Sequence, residues 1–229
     1  MTDATAETWA IVALSLKVAG VATIGAIVPA IAVAWLLARG RFWGRSLLNV
    51  AVHLPLVVPP VVTGYALLRL FGRRGLVGAF LADTVGLEFS FRWTGAALAA
   101  AVMAFPLMVR AIRLGIEHVD RGIEDAGGTL GASPIWVFAT VTLPLALPGI
   151  AAGIVLGFAK ALGEFGATIT FVSNIPGETR TLALAIFTAL ERPGGDVAAM
   201  RLAWISIAIS VVALLASEYL TRTRDRGRQ

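Results

Sequence analysis

From residue 11 to residue 38 the chain carries one charge, Lys17, in an otherwise apolar run. A bilayer is crossed by a helix of about 20 such residues. Comparable runs recur at residues 47–71, 93–112, 145–172 and 202–220. In hydrocarbon the backbone N–H and C=O groups must be satisfied within the segment, so these runs are expected to be helices. The fold expected is all-α: a polytopic integral membrane protein with about five transmembrane helices, forming one domain over residues 1–229. The chain is 14% charged, against about a quarter in soluble domains, which agrees. Pro29 is expected to kink the first span and Lys17 to snorkel outward from it. The apolar stretch 181–190 is too short to cross and reads as an interfacial or re-entrant helix.

Several chemistries are excluded. The chain has no cysteine, and His53 and His118 stand far apart, so no metal site is expected. It contains no G-x-x-x-x-G-K-[ST], H-E-x-x-H or G-x-S-x-G, so neither ATP hydrolysis nor covalent catalysis is expected of it. Energy for any transport would come from another subunit or an ion gradient. The opening MTDATAETWA is acidic and lacks the basic start of a signal peptide, so the whole chain is read as mature. Its arginines cluster at the ends of apolar spans, which explains the basic balance by membrane orientation and not by nucleic acid.

With the N-terminus outside, the cytoplasmic segments hold ten arginines: Arg39, Arg41, Arg45, Arg110, Arg113, Arg121, Arg222, Arg224, Arg226 and Arg228. The external loops hold five: Arg73, Arg74, Arg92, Arg180 and Arg192. The excess favours N-out, C-in, and puts residues 114–144 in the cytoplasm. Within that loop, Glu124, Asp125 and Ala126 open a pattern with Gly131 seven residues after the Glu and Leu143-Pro144 beyond it. Residues 114–130 are polar enough for an aqueous helix, which Gly131 can end in a left-handed cap. Ser133-Pro134 supplies an N-cap and a first-turn proline for a second short helix. Ile135, Trp136 and Phe138 give that helix more apolar surface than suits water. Two short helices around a Gly bend suggest a protein contact; an ordinary interfacial loop is the alternative.

In the fourth span, Gly149, Gly153, Gly157 and Ala161 repeat every four residues, a spacing that lets helices approach closely in lipid. Lys160 and Glu164 are four apart on the same helix and face each other. On a wheel of about 100° per residue, Glu164 falls within about 20° of Gly153 and Gly157. The pair, with Phe165 and Gly166 beside it, reads either as part of a gate or as a structural ion pair. Pro55, Pro59 and Pro60 bend the second span or hinge it.

Four segments carry a resemblance: the loop EDAGGTLGASPIWVFATVTLP, LPLVVPPVVTGYALL, AAAVMAFPLMVRAIRLGIE and LGEFGATITFVSNIPGETRTL. Together they resemble the molybdate permeases of ABC importers over essentially the full chain. Asp125 departs from the Ala usual in the loop signature, and Val141 from Ile. The resemblance implies a type I-like permease core whose loop 114–144, through Glu124, Asp125, Ala126, Gly131, Ser133 and Trp136, couples to an ATPase. It implies a homodimer in the bacterial inner membrane, two cytoplasmic ATPase subunits that hold ATP and Mg, and a periplasmic molybdate-binding protein. Import of molybdate, or of tungstate, would follow, with no cofactor bound by this chain. Weak substrate contacts would come from Thr168, Thr170, Ser173 and Asn174. A sulfate permease is the near alternative, and an ion-coupled transporter using Lys160–Glu164 as a relay the distant one.

Overall fold

A computed structural model describes residues 2–226, and among them the regular structure is helical. The helices are α1 (Thr2–Arg39), α2 (Arg45–Val57), α3 (Pro60–Phe71), α4 (Leu76–Val85), α5 (Trp93–Glu117), α6 (Arg121–Thr129) and α7 (Pro134–Val137). A π-helical turn, Phe138–Thr142, leads into α8 (Leu143–Leu145), α9 (Leu147–Leu162), α10 (Gly166–Val172), α11 (Leu182–Leu190) and α12 (Asp196–Arg226). By length and hydropathy α1, α5 and α12 can each cross a membrane alone, and two bent pairs raise the number of spans to as many as five.

The second and fourth expected spans are not single rods. Between α2 and α3 the chain turns by 114°. Val58 precedes Pro59 and is held extended (φ −74°, ψ 138°), as the proline ring requires of the residue before it. Pro60 then starts α3 at a position where a missing N–H costs nothing. The fourth span bends by 71° between Pro134–Leu145 and Leu147–Leu162. It breaks again at residues 163–165, so 145–172 is two helices and not one.

α5 is the central helix, packed between α1 and α9 along its length. The α1 side of that packing is a row of buried alanines, Ala22, Ala26, Ala30, Ala34 and Ala38, at four-residue spacing. They form the core with Ala100, Met103, Ala104, Met108 and Ile112 of α5. A row of small residues lets two backbones come close enough for dispersion contacts along the whole interface. α1 runs as one helix through Pro29. Lys17 does not simply reach outward: its Nζ lies 3.6 Å from the centroid of the Trp93 ring, a cation–π contact that ties α1 to the start of α5. α11, the short apolar stretch, packs on α12 and α1, and its Leu182 N–H donates to Ser15 Oγ at 2.7 Å. α4 is an additional short apolar helix between the second and third spans. The side chains of Arg222, Arg224 and Arg226, and Arg228 altogether, lie outside the described residues.

Candidate docking loop and helix seam

The loop after α5 is built from caps. α5 continues to Glu117, and Asp120 opens α6 by accepting a 2.8 Å bond from Gly122 N–H. The single helix expected over residues 114–130 is therefore two, with a turn at His118-Val119. α6 ends as the sequence implies. Gly131 sits at φ +85°, with Gly131 N–H donating to Gly128 O and Ala132 N–H to Gly127 O. That pair of bonds is the Schellman arrangement, in which a left-handed glycine satisfies the last carbonyls of a helix. Ser133 Oγ then accepts from Trp136 N–H at 3.3 Å, and Pro134 begins α7.

These caps hold an apolar ridge away from the bundle. Leu130 is 89% exposed, Ile135 76% and Trp136 64%, around a groove of about 640 Å³ that Gly127, Gly131 and Val137 help to line. Ser133 lines it too, and Asp125 and Ala126 are exposed. Large apolar side chains left open in this way suit a contact with protein or with lipid. Glu124 faces the other way. Its Oε2 lies 2.9 Å from Arg39 Nε, and its Oε1 accepts a 2.5 Å bond from Thr142 Oγ1. Of the six loop residues singled out in the sequence, Glu124 anchors the loop inward, Asp125 lines the cavity beside it, and Ala126, Gly131, Ser133 and Trp136 are exposed.

The glycine repeat of α9 faces α5 of the same chain. A Cβ on Gly149 would stand 2.5 Å from Gly115 Cα. One on Gly153 would stand 2.8 Å from Ile112 Cγ1, and one on Gly157 2.5 Å from Met108 Cγ. The seam is thus internal to the chain. It stops at Leu162, where α9 ends, so the helical wheel that carries it on to Glu164 does not apply.

Glu164 lies in the break. It is past the C-terminus of α9, with Phe165 as the residue before α10. One carboxylate oxygen pairs with Lys160 Nζ; the other accepts Ala167 N–H at 3.1 Å, capping α10. A carboxylate suits that place because the first N–H groups of a helix lack intrahelical acceptors and carry partial positive charge. The Lys160 side chain is 30% exposed and that of Glu164 only 2%. The break is wedged from the other bent span. A Cβ on Gly166 would stand 2.8 Å from Pro60 Cβ, and one on Gly64 2.5 Å from Ala167 O. Phe165 stacks at 4.9 Å on Phe187 of α11.

The four polar candidates beyond the break do not form one lining. Thr168 is buried, and Thr170 Oγ1 donates to Gly166 O in its own helix. Asn174 is occupied at both ends: Nδ2 donates to Thr188 Oγ1 at 2.6 Å and Oδ1 accepts from Arg180 Nε at 3.0 Å. Ser173 is exposed at φ +65°, a left-handed position that turns the chain out of α10. Arg180 was missed as a partner of this turn. For Arg39, also missed, the reason is distance: bonds across many tens of residues leave no local pattern.

Comparison with known proteins fits this architecture. The chain is 57% identical over 220 residues, 96% of both chains, to the molybdenum transport system permease protein ModB of Escherichia coli (strain K12). It is 54% identical, over 93% of both chains, to ModB of Haemophilus influenzae. It is 38% identical over 178 residues, 78% of this chain and 64% of the other, to the sulfate transport system permease protein CysT of Salmonella typhimurium. In fold it matches a bacterial ABC transporter involved in import of the acidic polysaccharide alginate, with TM-score 0.74 and 15% identity over 95% of this chain and 79% of that one. An amino acid ABC transporter matches with TM-score 0.67 and 17% identity over 97% and 96%. Residues 30–226 match the family described as binding-protein-dependent transport system inner membrane component. With that match across most of its length and relatives above half identity, the chain belongs to the binding-protein-dependent transport system inner membrane component family.

Proposed function

We propose that this chain is the membrane permease subunit of an ATP-driven importer of molybdate, or of tungstate. The observation that carries the reading is the 57% identity to a molybdenum transport permease over 96% of both chains. Two copies would frame the path, and two cytoplasmic ATPase subunits holding ATP and Mg would supply the energy. A periplasmic binding protein would deliver the anion. The arginine distribution supports N-out, C-in, which puts the α6–α7 ridge on the ATPase side. In this reading Leu130, Ile135 and Trp136 enter a groove of the ATPase, and the Gly131 bend sets the angle between the two short helices. The permease itself supplies no hydrolytic site. Lys160–Glu164 and the break around Phe165 and Gly166 would shape the gate, with Thr170 and Ser173 leaving room for only weak contacts to the passing dianion.

The likeness to a sulfate permease, 38% over 178 residues, favours sulfate as the second reading. Molybdate and sulfate share shape and charge, so the choice between them is an experimental one. Proteoliposomes holding this chain, its ATPase and its binding protein should take up labelled molybdate only with ATP, and excess sulfate should not compete. Uptake without ATP, or full competition by sulfate, would sink the molybdate assignment.

A further inference from the structure

We propose that Arg39 is a positioning residue through which movement of the docking loop reaches the membrane helices; the proposal rests on the transport reading above. Arg39 is the last residue of α1. Its Nη2 donates to Ile116 O at 2.9 Å and to Val119 O at 2.7 Å, the carbonyls where α5 ends. Its Nε lies 2.9 Å from Glu124 Oε2 of α6. That approach lacks hydrogen-bond alignment, so charge holds the pair while the two Nη2 bonds fix the plane of the guanidinium. Glu124 passes the tie on to Thr142 of the π-helical turn. One side chain therefore links α1, α5 and α6, and reaches the start of the next span through a single intermediary. A planar fork of donors can do this and a lysine cannot.

The surroundings make the tie consequential. The loop does not lie flush on the bundle. A cavity of about 600 Å³ opens between them, lined by Trp35, Arg121, Gly128, Pro134 and Phe138 and by Arg39 and Glu124 of the ion pair. The contacts that carry force from α6–α7 to the bundle include the Arg39–Glu124–Thr142 chain and the Trp35–Phe138 ring contact at 5.3 Å. On the receiving side the end of α1 is held firmly. Arg45 donates to Leu37 O from Nε at 3.0 Å and from Nη2 at 2.6 Å. A push on Glu124 thus moves the ends of α1 and α5, the two helices at the centre of the core, and does not merely bend a loop.

The test uses the full complex in proteoliposomes, with ATP hydrolysis and molybdate uptake measured on one preparation. Arg39→Gln should assemble with the ATPase and hydrolyse ATP near the wild-type rate, while molybdate imported per ATP falls roughly tenfold, within the range for residues that couple two sites without touching either. Thr142→Val removes one hydrogen bond and keeps the ion pair; it should lower the same ratio by roughly threefold. An unchanged ratio in both variants would overturn the proposal. So would a parallel loss of assembly and hydrolysis in both, which would make the tie structural only. A wild-type complex that holds no ATPase, or imports no molybdate, would instead refute the transport reading.

Discussion

The α5–α9 seam predicts a graded response to adding one methyl group. In Gly149→Ala the new Cβ would stand 2.5 Å from Gly115 Cα, 3.1 Å from Gly115 N and 3.2 Å from Ala111 O. Carbon atoms in contact sit about 3.5–4.0 Å apart, so the overlap is about 1 Å. All three obstructing atoms are backbone and cannot rotate away, so the helices must separate. Overpacking of this kind costs about 1–3 kcal/mol, and the fixed neighbours put this site at about 3. Alanine's better helix propensity returns at most about 1 kcal/mol, leaving a net loss of about 2. For a chain of this size that lowers the melting temperature by roughly 4–8 °C. In Gly157→Ala the obstructing atoms are Met108 Cγ and Sδ, at 2.5 and 2.6 Å, on a side chain that can rotate. That variant should melt within a few degrees of wild type. Gly20→Ala meets nothing within 4 Å and should melt at or slightly above wild type. Thermal unfolding in detergent, followed by tryptophan fluorescence, orders the three. Should Gly149→Ala melt as high as Gly20→Ala, the seam does not close as tightly as described, and the argument fails.

Three further outcomes are expected. Gly131→Val puts a β-branched residue at φ +85°; membrane levels should hold while ATPase binding or coupled uptake is lost, measured by co-purification and transport. Trp136→Ala should weaken ATPase binding by about 2 kcal/mol or more, roughly thirtyfold, in a titration of the permease with its ATPase; an unchanged affinity would place the docking contact elsewhere. Lys160→Met leaves the buried Glu164 carboxylate without its cation and should cost about 3 kcal/mol or more, whereas Lys160→Met with Glu164→Gln should recover part of that loss in both unfolding and uptake.

The parts of this structure that were legible in sequence are those set by local chemistry. Gly131 and Ser133-Pro134 announce a left-handed cap and a helix start, and both occur at those residues. The Gly149–Gly153–Gly157 spacing announces close packing, and the packing is there. The five apolar runs announce the spans, but hydropathy has no term for a bend. The turn at Val58–Pro59 depends on which of three prolines sets it, and the break at Gly163–Phe165 packs against Pro60, a residue about a hundred positions away. Glu124 was read as part of a docking motif, yet its side chain points to Arg39, because which face of a short helix turns inward depends on what lies behind it. The alanine row of α1 sat in plain view at four-residue spacing and was hidden only by the general apolarity of that run.

The stacking of Pro60 on Gly166 has a mechanical consequence. The glycine seam and the alanine row leave α1, α5 and α9 little freedom to slide against one another. Two of the places where the helices are interrupted are Val58–Pro59 and Gly163–Phe165. Those two interruptions belong to different spans, but they touch: a Cβ on Gly166 would be 2.8 Å from Pro60, and Gly64 has no more room against Ala167. Neither can open without displacing the other. Counted as a linkage, these two interruptions make one joint and not two, so a displacement of α3 would carry α10 with it.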